Sequence, residues 1–228
     1  MRRGELFEVA ERPSVSMSIE PRTHFTPGDE PYLGRNPLYV LDVLISSVLE
    51  LSGRIADETH KPDQTPLQNA AAQICPQGFN LSLAIRELVR QGHLFSSAVL
   101  LRSLVERAAI ISYLYRKPDA LPVWENGWKH RERPSLVNML AEARPTRDTD
   151  GARQLCETLN HLVHGDPYSA EFNLVALEKD AWGYAVGRVL NNDQLCDFVC
   201  DQTISWLTVL AGIAGACFPD AAFKSEPS

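Results

Sequence analysis

The sequence predicts an all-α protein, a multi-helix bundle, and three observations predict it. Apolar residues recur at three- and four-residue spacing through most of the chain, the period of a helix with one buried face. Asn36-Pro37, Gly92 and Asn192-Asp193 have the chemistry of helix starts and stops. Strict alternation, the strand signature, is confined to a small β-hairpin expected near 172–190.

Residues 1–36 carry Pro13, Pro21, Pro27 and Pro31 without sustained periodicity, and are expected to form an extended or disordered arm. Pro37 suits the first helical position, and Leu38, Leu41, Val48 and Leu51 carry a first helix to about residue 59. A polar break from His60 to Thr65 precedes a second helical stretch over about 67–91, with an interruption expected near Pro76–Gly78. Gly92 gives a tight stop, so the third helix, about 94–116, should run antiparallel to the second. Asp119 can cap a short helix holding Trp124 and Trp128, and Pro134-Ser135 opens another. Thr149-Asp150 starts a helix that Gly165 and Pro167 end. Phe172, Leu174 and Ala176 alternate, as do Tyr184 and Val186, around a turn at 178–183, with a further helix the competing reading. Asn192 caps the long last helix. One bundle domain is thus expected over 37–220, with a disordered tail at 221–228.

Composition narrows the function. Hydrophobic residues make up 44% and charged residues 22% of 228, globular proportions that allow a sizeable core. The net charge of −7 argues against a general nucleic-acid coat or an anionic-membrane binder, which need basic surfaces. The N-terminal MRRGELFEVAERPS lacks the apolar core of a secretory leader. The run from Gln202 to Pro219 is apolar but includes Thr203, Ser205 and Thr208, which favours a buried helix over a membrane span. Five cysteines, none in a C-x-x-C pair, fit reduced thiols and a cytoplasmic location.

Two segments carry chemistry. The third helix, LFSSAVLLRSLVERAAIISYLY, is apolar on nearly every side, yet holds Arg102 and Glu106 one turn apart. At about 100° per residue they lie about 40° from one another, with Tyr113 within about 20° of Arg102. Burying ions costs several kcal/mol each unless partners are found, so this stripe is either a functional polar site or an Arg–Glu pair with wet heads at the bundle edge. The second segment, ETLNHLVHGDP, places Glu157, Asn160, His161 and His164 on adjacent turns. In the last turn of a helix, His164 can simply cover free carbonyls and meet the helix dipole. It can equally serve as an acid–base or ligand-contacting imidazole, with His161 and Asp166 beside it. Glu157 or Asp166 could complete a metal triad with the two histidines, but no second cluster has matching spacing, and neither metal nor cofactor is expected.

At these two segments, over about residues 80–215, the chain resembles the HEPN superfamily, near a bacterial branch of helical proteins. That resemblance implies a helical bundle, often dimeric, acting as an RNA-cleaving toxin or phage-defence component, or binding nucleotides without catalysis. The family's ribonuclease motif runs from an arginine and a polar residue to a histidine near a helix end. Asn160 and His164 match the last two, while Leu159 stands at the arginine position, so the stabiliser of developing phosphate charge is missing there. Arg102, oriented by Glu106, is the proposed substitute.

Lys129, His130, Arg131 and Arg133 follow Trp124 and Trp128. Cations beside aromatics can hold the phosphates and bases of single-stranded RNA or a nucleotide, and a solvated helix end balanced by Glu132 is the plainer alternative. Three functions follow: a metal-independent ribonuclease using His164, Arg102, Asn160 and Glu106; a non-catalytic nucleotide- or ligand-binding module using the same polar site; or an interaction protein with an operon partner. In the last, Gly212, Gly215 and Ala216 of the final helix would allow close approach in a homodimer.

Overall fold

The structure, a computed structural model, describes residues 30–61, 63–129, 131–143, 148–164, 167, 169, 174–176, 182–184, 187–190 and 192–222. Five long helices build the bundle: α1 (Asn36–Glu58), α2 (Pro66–Arg90), α3 (Leu94–Arg116), α6 (Thr149–Val163) and α7 (Asp193–Cys217). Shorter helices α4 (Leu121–Glu125), α5 (Leu136–Ala143) and α8 (Pro219–Ala222) fill the connections, and a 3-10 turn at Pro118–Ala120 follows α3. Strands β1 (Leu174–Ala176) and β2 (Trp182–Tyr184) pair antiparallel, Leu174 opposite Tyr184 and Ala176 opposite Trp182, as the alternation suggests.

α3 is central. It packs against α2, α5, α6 and α7, and Leu101, Leu104, Val105, Ala108 and Ile111 are wholly buried along it. Its direction is fixed by the turn before it. Gly92 adopts φ +84°, its N–H donates to Val89 O at 2.9 Å, and the His93 N–H donates to Leu88 O at 2.8 Å. Those two bonds and the left-handed glycine make a Schellman stop that reverses the chain.

Asn192 accepts from the Leu195 N–H at 3.0 Å, and α6 begins at Thr149 as expected, capped by Asp148, which accepts from the Gly151 N–H at 2.9 Å. A capping box joins Thr65 and Gln68 at the start of α2. The interruption expected near Pro76 does not occur, and α2 runs through the proline. Ile74, Cys75, Gly78 and Phe79 are all buried around it, so packing outweighs the proline's cost of about 3 kcal/mol in a helix. Trp128 lies beyond α4 rather than inside it.

The ordered domain begins before residue 37. Tyr32 is buried, donates its hydroxyl to Val189 O at 2.7 Å, and accepts from the Asn192 N–H at 3.2 Å. Arg35 grips Asp197 through Nε at 2.9 Å and Nη2 at 2.6 Å. Residues 30–35 therefore belong to the bundle, while residues 1–29 lie outside the described residues. At the other end Ala221 is wholly buried, and 223–228 lie outside the described residues.

α7 is long and apolar enough to cross a membrane by length and composition; in this fold it packs against α1, α2 and α3. Its small residues divide: Ala214 is buried, Gly215 faces α8, and Gly212 and Ala216 are exposed. A different glycine is tightly packed against α7. A Cβ on Gly78 would strike Leu210 of α7. All five cysteines are free and buried.

Candidate functional site

The two sequence segments meet at one interface, though not as a single cluster. Arg116 donates to Ala143 O at 3.3 Å and Lys117 pairs with Glu142 at 3.0 Å, which sets the end of α5 beside the end of α3. Arg102 acts electrostatically on the Cys156 thiol, and α6 packs against α3. Burial raises that thiol's pKa above its ordinary value, and the Arg102 cation partly offsets the rise.

Arg102 lies beside α6, and Asn160 follows Cys156 by one turn on that helix. Arg102 Nη1 and Asn160 Oδ1 are each buried without a hydrogen-bond partner among the described residues. Leu159, at the place where the family motif has arginine, is fully buried in the core. A cation there would replace a core contact.

Glu106 goes elsewhere. Its carboxylate pairs with Arg133 and lies 3.9 Å from Arg107, on the side of α3 that faces the α4–α5 connection. Among the described residues no ion pair joins it to Arg102. His164 is exposed at the C-cap of α6, its N–H donating to Asn160 O at 3.0 Å. The structure thus sets Arg102 beside α6 and pairs Glu106 with Arg133 instead. His161 is half-buried on α6, and Asp166 lies outside the described residues, as does His130.

On Glu106's face the structure forms an open cleft of about 370 Å³, lined by Gln77, Glu106, Arg107, Trp124, Trp128 and Arg133, with Ile74 and Ile110 at its base. A second Schellman stop builds its rim. Gly127 at φ +81° donates to Trp124 O at 2.9 Å, and the Trp128 N–H reaches back to Val123 O at 3.2 Å. Trp128 itself sits at φ +21°, a backbone region costing about 1–3 kcal/mol for a side-chain-bearing residue, and is held there by its packing. Tyr113 of α3 meets the Trp128 ring edge to face, centroids 6.4 Å apart at 65°. Lys117 Nζ lies 5.3 Å from the Tyr113 centroid, a cation–π contact supporting the same stack. Tyr113 is therefore a buttress for Trp128. Lys129 and Arg131 are exposed beyond the rim, and the Lys129 N–H donates to the Glu132 carboxylate at 3.3 Å.

Arg107 and Gln77 were not among the sequence-predicted site residues. Trp124 and Arg133 stand in the basic-aromatic stretch, which signalled them. Arg107 and Gln77 come from two long helices, and nothing local marks their meeting. Comparison with family models, with curated proteins and with solved structures returned no match to this chain.

Proposed function

We propose that this chain is a non-catalytic binding module that holds a nucleotide in the Trp124–Trp128 cleft. The observation that carries this reading is one open cleft offering two indoles and two guanidiniums together. Indole faces stack on any base, worth about 1–3 kcal/mol per base. Guanidinium forks bind phosphate oxygens in parallel pairs. Glu106, paired with Arg133 and near Arg107, holds both cations in place before a ligand arrives, and leaves the trio with a net positive charge. The cleft's volume falls inside the range of about 300–1,000 Å³ usual for small-molecule sites. A net charge of −7 on the whole chain repels a long polyanion, which favours a mononucleotide over extended RNA.

The test is thermal unfolding with a panel of adenine, guanine, cytosine and uracil mononucleotides. A ligand present at about 100 times its Kd stabilises by about 2.7 kcal/mol, a clear rise in Tm. Trp128→Ala and Arg133→Ala should each remove that rise. A flat response to every mononucleotide sinks the reading.

A second reading, metal-independent RNA cleavage by His164 with Arg102 and Asn160, is favoured by one observation: a buried guanidinium nitrogen of Arg102 and a buried amide oxygen of Asn160, one turn before His164, both lack partners among the described residues. Its test is cleavage of single-stranded RNA in chelator, lost in His164→Ala. Intact RNA across varied sequences rules it out.

A further inference from the structure

On the other side of α2, a cavity of about 140 Å³ opens where α1, α2 and α7 meet. Small side chains create it: Ala56, Ala71, Ala72 and Ala214 leave room that larger residues would fill. Its floor is buried and apolar, with Ile55, Phe79 and Phe218 among its walls, while Ala56 and Pro76 are exposed at its mouth. A dry apolar cavity of roughly 150 Å³ is large enough for a benzene-sized molecule.

The wall's polar features are the Ser52 and Thr59 hydroxyls of α1 and one carbonyl of α2. Pro76 has no N–H, so the carbonyl of Ala72 loses its helical donor, and both residues line the cavity. Thr59 offers no free donor to repair this, because its hydroxyl donates to Ala56 O at 2.7 Å. The wall also holds the Cys75 thiol, which burial pushes up to about 12, so it stays neutral and adds no charge.

We infer that this cavity is a binding site for a small, flat, apolar molecule carrying one hydrogen-bond donor, of phenol or indole size, with the donor directed at the Ala72 carbonyl. The apolar body replaces empty space on the walls, and the single donor meets the single acceptor that α2 leaves open. This site is separate from the Trp124–Trp128 cleft, and its fate does not depend on that reading.

The experiment uses the full chain with phenol and toluene as probes, their affinities measured by calorimetric titration. Both should bind the wild type. Pro76→Ala gives Ala72 its helical donor back, and should weaken phenol about fivefold relative to toluene, the worth of one neutral hydrogen bond. Ala214→Leu fills the cavity and should abolish both, while Trp128→Ala leaves both unchanged. No binding of either probe to the wild type overturns the inference. So does a phenol-to-toluene ratio untouched by Pro76→Ala, or binding that survives Ala214→Leu.

Discussion

Replacing Gly78 by alanine sets two opposing effects against each other, and their magnitudes decide the sign. Gly78 lies inside α2, where alanine is worth about 1 kcal/mol more than glycine through helix propensity. Against this, the added Cβ would collide with Leu210 Cδ1 on α7. The far end of Leu210 can move, but it is fully buried and has little room. Adding a methyl group to a tight core costs about 1–3 kcal/mol. The net expectation is a loss of up to about 2 kcal/mol, or a Tm lower by a few degrees at about 2–4 °C per kcal/mol in a domain of this size. Urea unfolding with the slope held constant measures it. The double variant with Leu210→Ala should be less destabilised than the sum of the two single variants, with a coupling of about 0.5–3 kcal/mol, because the new methyl group enters the space leucine vacates. A gain of about 1 kcal/mol in Gly78→Ala alone would refute the close approach of α2 and α7.

Three more outcomes follow from the same contacts. Arg102→Met keeps the packed stem and removes a buried donor without a partner, so thermal unfolding should show equal or higher stability, by about 1–3 kcal/mol; a clear loss would mean that Nη1 is satisfied. Glu87 is held below the usual carboxylate range, first by its hydrogen bond to Arg90, then by Gln91. Its contribution is therefore full above the ordinary carboxylate pKa and lost as pH falls through the lower folded value, and Glu87→Gln should flatten the fall of Tm between about pH 5 and 3. A parallel fall in both proteins would contradict this. All five thiols are buried, so a thiol reagent at neutral pH should label the native chain slowly and all five after denaturation; fast labelling of any one would contradict its burial.

Much of the fold was legible in the sequence because its signals are local. Gly92 stops α2 where its backbone freedom requires, Asn192 caps α7, and the alternation at 174–176 and 182–184 marks paired strands. Pro76 misleads because its helical penalty is local while the packing that outweighs it comes from other helices. The candidate site was read less well. Arg102 and Glu106 are neighbours on one helix, yet their angular offset of about 40° is enough to send one toward α6 and the other toward Arg133. Spacing along a helix says which residues share a face, but not which element covers each edge of it. Trp128 was legible as an aromatic beside cations, whereas Arg107 and Gln77 join it only through tertiary packing.

Indole fluorescence offers the most direct measurement on the Trp124–Trp128 cleft. Titrating a mononucleotide into the wild type should quench emission to a saturating plateau, with an affinity that weakens as salt rises. The same titration of Trp128→Ala should lose most of the quench. Emission that stays unchanged through millimolar nucleotide, or a quench that persists undiminished without Trp128, would contradict a base stacked in the cleft.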